Sequence, residues 1–297
     1  LMYNDARAVA EAQEVSAAGA ALEAKLGYRF ASSYALPKLL WLKRHQPGRL
    51  EAARHILSPT DFIVGRLSGR FDVSDYNNAL KTGFDLLDEC WPEFIERDLG
   101  IPRERLPHIV APGTPVGQVI EQAAAATGLA AGTPVLAGTT DGCAAQISTG
   151  AVAPGEWNST LGTTLVLKGV TRSLLRDPLG RIYCHRHPDG YWLPGGASNV
   201  GGECIAQRFP AALLEQLNAA ALAHAPSDLI VYPLVARGER FPFVRPHAQG
   251  FTLGDSAGAS EETLYTAYLE GVGYVERLAY ETLHGLGAEV GDAIYAA

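Results

Sequence analysis

Two short segments of this sequence place polar side chains in turns between apolar stretches. In the first, the apolar stretch Pro134-Val135-Leu136-Ala137 leads into the Gly-flanked turn Gly138-Thr139-Thr140-Asp141-Gly142. In the second, Gly162-Thr163-Thr164 interrupts strand-like sequence with small, hydroxyl-bearing residues. A carboxylate at a turn can act as a general base, and a glycine turn lets main-chain amides approach phosphate oxygens closely. The two segments together favour a phosphotransferase.

Each segment also has a purely structural interpretation. Asp141 precedes a small-residue helix and fits the position of its N-cap, although one side chain can both cap a helix and serve as a base. Gly162-Thr163-Thr164 suits a plain hairpin turn, which the residues alone favour slightly. In a third segment, Gly195 to Glu203, the glycines Gly201 and Gly202 lead into a helix whose amino end is expected near a nucleotide. Close packing of backbones explains these glycines equally well.

The elements that must position these segments are a helical first part and then alternating strands and helices. The predicted helices are residues 5–26, residues 35–57 with a break at Pro47-Gly48, a short helix capped by Thr60 or Asp61, an Ala-rich helix after residue 120, and a long helix capped by Ser260. The predicted strands are residues 1–3, 116–120, 135–138, 165–167, 181–184, 191–193, 229–234 and 293–297. Between them, residues 71–115 are predicted to form a structured loop.

Composition limits the class of protein to which such a site could belong. The 297 residues exceed the usual size of a single core, so two lobes meeting near residue 150 are predicted, and 47% hydrophobic content is enough to build both. The net charge is -8, without a run of Lys or Arg, which argues against nucleic acid or an anionic membrane as a partner. The sequence shows neither an apolar run of about 18 residues nor a signal peptide, so we expect a cytoplasmic protein with a small-molecule substrate.

Cysteine and histidine residues do not form a convincing metal site. The four cysteines lack CxxC spacing and are interpreted as reduced thiols. His185 and His187 would share one face of a strand, but a second ligand cluster at a suitable spacing is missing. We therefore predict a partly exposed strand here, without a metal ion.

Five blocks, in order, resemble the FGGY carbohydrate kinases of the actin-like ATPase superfamily. The blocks are Tyr3-Asn4-Asp5-Ala6-Arg7, Ser74 to Ala79 with Trp91 and Leu106-Pro107, Gly138-Thr139-Thr140-Asp141-Gly142, Ser159 to Thr164, and Gly238-Glu239-Arg240-Phe241-Pro242. The first resembles the family's W-x-D-x-R block, with tyrosine in place of tryptophan. Each block alone is weak, but five in the right order make the resemblance specific.

The resemblance implies an α/β protein with the two-lobed, ribonuclease H-like fold of actin-like ATPases. Residues 1–150 would be part of the N-terminal, sugar-binding lobe, and residues 151–297 part of the C-terminal, nucleotide-binding lobe. The family's amino-terminal Asp-x-Gly-Thr loop and carboxyl-terminal adenosine motif have no counterpart in these residues. Both lobes are therefore expected to be incomplete, and the 297 residues alone are expected to have little or no activity.

The resemblance also implies a chemistry, with ATP and Mg²⁺ as cofactors. Asp141 would be the general base and, with Gly142, would contact the sugar, while Gly162, Thr163 and Thr164 would contact nucleotide phosphates. The blocks are most similar to the ribulose or xylulose kinase-like branch, so a ketopentose is the predicted substrate. For four loop residues, namely Asp75, Asn78, Glu239 and Arg240, helix capping and buried ion pairing are favoured over substrate contact.

Two alternatives stay open. A noncatalytic nucleotide-binding module of the actin or chaperone kind would keep the Gly-Thr-Thr turn but would not need a carboxylate aimed at a sugar hydroxyl. An inactive fragment that only provides binding surfaces is the other. The sequence does not determine the oligomeric state, and a homodimer is compatible with it.

Overall fold

The computed structural model describes residue 2 and residues 5–297, which divide into two compact units. Unit 1 comprises the described residues up to Ala145 together with Cys184–Trp192, and unit 2 comprises Gln146–Tyr183 and Leu193–Ala297. The strand end predicted at Leu1-Met2-Tyr3 and the start of the first family-like block lie outside the described residues, except for Met2.

Unit 1 is mainly helical in its first part. The helices that begin in unit 1 are α1 (Val9–Ala18), α2 (Ala20–Leu26), α3 (Ala35–His45), α4 (Pro47–Ala52), α5 (Pro59–Ser68), α6 (Tyr76–Ala79), α7 (Phe94–Arg97), α8 (Glu121–Thr127) and α9 (Asp141–Ser148), with short 3₁₀ turns at Leu80–Thr82 and Arg103–Arg105. The single helix predicted over 5–26 is divided at Gly19, where a Cβ atom would meet the rings of Phe30 and Phe94. Pro47 starts a new helix, as its fixed φ allows at a first turn.

Two small sheets in unit 1 bring its central segments together. Strand β1 (Val73–Asp75) pairs in parallel with β2 (His108–Val110), and β3 (Pro115–Gln118) pairs antiparallel with β4 (Pro134–Leu136). Buried side chains of these strands, of the residues that follow β3 and β4, and of α8 form one apolar cluster, consisting of Val73, Val116, Val119, Ala123, Val135 and Ala137. Because β4 and Ala137 are fixed in this cluster, the Asp141 turn starts from a rigid support.

Unit 2 is built on an antiparallel hairpin and a long helix. The remaining strands of the chain are β5 (Trp157–Leu161), β6 (Leu165–Gly169), β7 (Tyr183–Arg186), β8 (Trp192–Ser198), β9 (Ile230–Tyr232), β10 (Phe251–Leu253) and β11 (Ile294–Ala296). Except for most of β7 and the first residue of β8, they belong to unit 2. Four of them lie side by side in the order β11-β5-β6-β8, and β9 pairs with β10. The helices are α10 (Glu203–Arg208), α11 (Leu214–Ala221) and α12 (Glu261–Gly285), with 3₁₀ turns at Ala211–Leu213 and Leu222–His224.

The cap of α5 differs from the prediction, whereas that of α12 confirms it. Ser260 accepts a hydrogen bond from the Thr263 amide and caps α12 as expected. At α5 the N-cap is Ser58, whose hydroxyl accepts from the Asp61 amide, while the Asp61 carboxylate accepts from the Ser58 amide. Proline is favoured at the first helical position, so Pro59 moves the cap to the residue before it and leaves Thr60 inside the helix.

Strand β8 extends further than predicted. The expected strand ended at Leu193 and a loop was expected from Gly195, but β8 continues to Ser198. Antiparallel pairing with β6 supplies the hydrogen bonds of this glycine-rich stretch. A Cβ atom at Gly196 would lie 3.0 Å from the Phe241 ring, so the glycine fits a close approach rather than a flexible loop.

The longest helix of the described residues is α12, with 25 residues. Its buried face includes Tyr265, Val272, Val275, Ala279 and Leu283, which agrees with the apolar spacing that predicts a packed amphipathic helix. In the part of the chain that the structure describes, none of the helices has the length and apolar character needed to span a membrane.

We predict that Ser58→Ala lowers the free energy of unfolding by about 1 kcal/mol, because it removes the acceptor for the Asp61 amide. Urea denaturation of the 297-residue chain measures this loss. Ser58→Thr keeps a hydroxyl at the same position and should lose much less. Equal losses in the two variants would show that the hydroxyl is not the stabilising group.

Candidate active site

The turn that carries Asp141 is held by Thr140. The Cys143 amide donates to the Thr140 hydroxyl (3.3 Å) and to the Thr140 carbonyl (3.1 Å), and the Ala144 amide also donates to that carbonyl (2.9 Å). Thr140 is therefore the N-cap of α9, and Asp141 is the first helical residue rather than the residue before the helix. The capping role considered for Asp141 belongs to its neighbour.

The Asp141 carboxylate is exposed as a result. Its Oδ1 accepts a hydrogen bond from the amide of Gly142 (2.7 Å), and the residue is exposed to solvent. A carboxylate in the first turn of a helix is favoured electrostatically by the helix dipole. The residues thus present a carboxylate oxygen that a hydroxyl group can approach.

The loop that follows β1 contacts this turn through Asn77. The Asn77 side-chain amide donates to the Thr139 hydroxyl (3.2 Å) and to the Arg186 carbonyl (2.9 Å), and its oxygen accepts from the Arg186 amide (2.8 Å). Only 2% of Asn77 is exposed. The sequence indicates a structured loop here, but it gives no signal that Asn77 contacts the turn before Asp141.

Asp75 is a buried cap, as the structural interpretation predicted. Its Oδ1 accepts from the amides of Asn77 (2.9 Å) and Asn78 (3.1 Å), and its Oδ2 accepts from the Asn78 side chain. Burial raises the pKa of Asp75 to about 6, against the opposing effect of these hydrogen bonds. Asp75 therefore orders the α6 turn on which Asn77 lies.

The Gly162-Thr163-Thr164 segment is the loop of a tight hairpin. Leu161 at the end of β5 pairs with Leu165 at the start of β6, which leaves only these three residues in the connection. The Gly162 amide donates to the Thr164 carbonyl (3.2 Å), and Gly162 and Thr163 are exposed. The hairpin interpretation is confirmed, and it leaves a role in phosphate contact open.

Gly201 and Gly202 pack directly against this hairpin. The Gly202 amide donates to the Gly162 carbonyl (2.7 Å), and the Glu203 amide to the Thr163 carbonyl (3.4 Å). A Cβ atom at Gly201 would lie 2.5 Å from the Thr163 carbonyl oxygen, and one at Gly202 would lie 2.9 Å from the Gly162 oxygen. Two of the predicted segments therefore meet at a place where only glycine fits.

The polarity of the hairpin loop follows from this packing. Its Gly162 and Thr163 carbonyls point towards α10 and accept hydrogen bonds there. Among the described residues, none accepts a hydrogen bond from the amides of Thr163 or Thr164. Unpaired amides at an exposed glycine turn are donors suited to an anion.

Glu239 is buried and supports the loop after β8. Its carboxylate accepts hydrogen bonds from the Ser198 hydroxyl (2.8 Å), the Asn199 amide (2.8 Å) and the Tyr232 hydroxyl (3.0 Å). Glu239 is buried, as the structural interpretation predicted, but its partners are hydroxyls and amides rather than the predicted ion pair. Burial, followed by the nearby Glu239 charge, raises the pKa of Tyr232. Arg240 is exposed.

The strand that carries His185 and His187 is buried, contrary to the expectation of a partly exposed strand. The two residues are only 4% and 5% exposed, because the segment 184–192 packs within unit 1. Within the described residues, the His, Cys, Asp and Glu side chains do not form any group of three that could hold a metal ion.

Comparison with known proteins identifies the family. Residues 1–148 match the N-terminal domain of the FGGY family of carbohydrate kinases, and residues 158–296 match its C-terminal domain. The chain belongs to the FGGY family of carbohydrate kinases.

Individual relatives include kinases with two different named substrates. The chain is 26% identical to xylulose kinase of Escherichia coli K12 over 97% of its length, and 28% identical to gluconokinase of Bacillus subtilis 168 over 80%. The crystal structure of xylulose kinase from Rhodospirillum rubrum superimposes with a TM-score of 0.84, at 28% identity and over 96% of this chain. These likenesses confirm the predicted fold class, that of the actin-like ATPases.

The chain is shorter than these relatives. It covers 60% of the Escherichia coli protein, 50% of the Bacillus subtilis protein and 60% of the Rhodospirillum rubrum chain.

We predict that Gly201→Ala destabilises unit 2 by about 2 kcal/mol, because its Cβ forces the hairpin or the loop to move. Urea denaturation and the backbone amide chemical shifts of residues 162–164 measure the effect. Gly273→Ala is the matched control, since a Cβ there meets nothing within 4 Å and the exposed helix position should gain stability. Unchanged hairpin shifts in Gly201→Ala would contradict the close packing.

We also predict that Asp75→Asn alters the pH dependence of stability. The raised pKa means that the folded protein holds the Asp75 proton more tightly than the unfolded chain. Asp75 therefore contributes stability below about pH 4 that is lost as the pH rises through about 6. As the pH rises from about 4 through 6, the free energy of unfolding of Asp75→Asn should therefore increase relative to that of the wild type by up to about 3 kcal/mol.

Denaturant unfolding of both proteins from pH 4 to 7 tests this prediction. Asp72→Asn is the control, because the Arg70 ion pair lowers the pKa of Asp72, so its stabilisation is lost only below about pH 4 and its curve from pH 4 to 7 should run parallel to that of the wild type. Parallel pH curves for Asp75→Asn and the wild type would show that Asp75 titrates normally.

Proposed function

We propose that this protein transfers the γ-phosphoryl group of ATP to a hydroxyl of a sugar, with Asp141 as the general base. The observation that carries this proposal is the exposed carboxylate of Asp141, which Thr140 relieves of the capping role. In the reaction, the sugar hydroxyl loses its proton to Asp141 as its oxygen bonds to the γ-phosphorus. The bond from the γ-phosphorus to the bridging oxygen breaks, and ADP leaves.

The phosphate contacts are assigned to the hairpin of Gly162, Thr163 and Thr164. Its exposed amides and hydroxyls are donors for nucleotide oxygens, and the packing of Gly201 and Gly202 keeps the loop rigid. Gly142, beside the base, is assigned to the sugar. This division gives residues 1–150 the sugar side of the reaction and residues 151–297 the nucleotide side.

Mg²⁺ is proposed as the second cofactor. Magnesium commonly keeps several waters and binds through substrate phosphates with one or two carboxylates. The described residues contain no group of three carboxylate, His or Cys side chains that could hold the ion, and nucleotide phosphates are proposed as part of its coordination. When bound, the ion would offset charge on the transferred phosphoryl group.

A ketopentose such as xylulose or ribulose is the proposed substrate. Xylulose kinases are among the relatives and structural neighbours of the chain, and a gluconokinase among the relatives makes a sugar acid the main competing proposal. Because the chain spans 60% or less of these proteins, the activity of the whole protein is part of the proposal. A cytoplasmic location and a homodimer stay predictions.

The noncatalytic nucleotide-binding module is the less favoured alternative. Such a module would bind phosphates at the hairpin, but its function would not require an exposed carboxylate in the first turn of α9. Asp141 discriminates between the two functions.

The test is a panel of pentuloses, hexuloses, polyols and gluconate with ATP, followed by ADP release. It uses the 297-residue chain and, in parallel, a polypeptide that also carries the family's amino-terminal phosphate loop and carboxyl-terminal adenosine motif. We expect turnover with a ketopentose from the longer polypeptide. Asp141→Asn should lower turnover by on the order of a hundredfold to ten-thousandfold while nucleotide binding persists.

Asp255→Asn is the matched control, since Asp255 is also exposed and accepts a hydrogen bond from a nearby amide in its own loop. It should leave turnover unchanged. Nucleotide binding by the longer polypeptide without phosphorylation of any sugar would favour the noncatalytic module. Full activity of Asp141→Asn would remove Asp141 from the mechanism.

A further inference from the structure

We propose that Asn77 is a positioning residue that holds the turn carrying Asp141 in its productive geometry. The catalytic effect of this role rests on the proposed kinase function, whereas the contact between Asn77 and Thr139 is independent of it. Asn77 lies 62 residues before Thr139 in the chain, and its amide nitrogen donates to the Thr139 hydroxyl at 3.2 Å. Thr139 immediately precedes Thr140, the cap of α9.

The hydrogen bonds of Asn77 leave its amide a single orientation. A side-chain amide has two N–H donors and one carbonyl oxygen. One donor goes to the Arg186 carbonyl and the other to the Thr139 hydroxyl, while the oxygen accepts from the Arg186 amide. Exchanging the oxygen and nitrogen would break both bonds to the Arg186 backbone, so the donor facing Thr139 is fixed.

The partners of Asn77 are themselves held firmly. Asp75 accepts from the Asn77 amide and so fixes its backbone. The Arg186 side chain donates to the Leu86 carbonyl (2.6 Å) and pairs with Glu89 (2.8 Å). The buried Asn77 side chain is therefore held in place by Asp75 and Arg186, and it in turn restrains Thr139.

The turn has few other restraints before its helix begins. On the amino-terminal side, Gly138 packs closely on the Thr60 side chain. Beyond Thr139, the cap contacts of Thr140 fix the start of α9. The Thr139 hydroxyl is thus the side-chain restraint that joins the strand end to the capped helix, and its loss would let Asp141 move. Displacements of about 1 Å in a catalytic group can cost on the order of a hundredfold in rate.

The test compares Thr139→Val, Thr139→Ser and Asn77→Ala in the longer polypeptide described above. Thr139→Val removes the acceptor and keeps the shape at a half-buried site, so it is expected to fold even if Asn77→Ala does not. We expect Thr139→Val and Asn77→Ala each to lower kcat by about tenfold, with the KM for sugar and ATP changed less than twofold. Rates are counted per nucleotide-binding site, which removes any loss of folded protein.

Two further comparisons separate positioning from plain stability. Thr139→Ser keeps the hydroxyl and should recover most of the rate that Thr139→Val loses. The double variant that combines Thr139→Val with Asn77→Ala should be no slower than Asn77→Ala alone, because both changes remove the same contact. Ser68→Ala is the control: it removes a buried hydroxyl that donates to the Val64 carbonyl, so it should lower stability without changing kcat.

Amide hydrogen exchange in the 297-residue chain provides a readout that needs no catalysis. Thr139→Val should speed exchange at Gly142 and Cys143 by about fivefold, the effect of one hydrogen bond, while Ser68→Ala leaves it unchanged. If Thr139→Val speeds exchange but the longer wild-type polypeptide phosphorylates no sugar, the contact is upheld and the kinase function is rejected. Wild-type exchange and kcat in Thr139→Val, or additive losses in the double variant, would overturn the proposal.

Discussion

The candidate chemistry depends on one hydrogen bond, in which the Cys143 amide donates to the Thr140 hydroxyl. The first amides of a helix need acceptors, and an aspartate at this point would normally supply one. Because Thr140 takes that role, the Asp141 carboxylate remains exposed at a fixed position in the first turn of α9. With the cap in place, the Asp141 carboxylate accepts from the Gly142 amide of this first turn and is left able to accept a proton.

In unit 2, the first amides of a helix are paired with carbonyl groups instead of a hydroxyl. The amides of Gly202 and Glu203 bond to the carbonyls of Gly162 and Thr163, so the start of α10 is satisfied by the hairpin. Each carbonyl that turns inward rotates its peptide plane and directs the next amide outward. The absence of Cβ atoms at Gly201 and Gly202 permits this approach, so the glycines fix the hairpin through packing.

The sequence predicts these two turns because their signals are local. A glycine turn after an apolar strand, and a threonine pair in a hairpin, are recognisable within a few residues. The same local reasoning misplaced the cap of α5, where Pro59 shifted it to Ser58, and ended β8 too early, where pairing with β6 outweighed the glycines. At β8, tertiary hydrogen bonds override local propensity, whereas at α5 the neighbouring proline is a local signal that was misjudged.

The support of the Asp141 turn was not predictable in this way. Asn77 reaches Thr139 over 62 residues and Arg186 over 109, and the spacing of these residues does not signal that they meet. Asn77 lies in a polar string whose side chains are equally suited to bonding their own backbone, as Asp75 does. Only the fold distinguishes the cap from the residue that reaches across to the turn. Candidate residues for the chemistry can therefore be proposed from sequence, whereas a candidate for positioning them is found only in the structure.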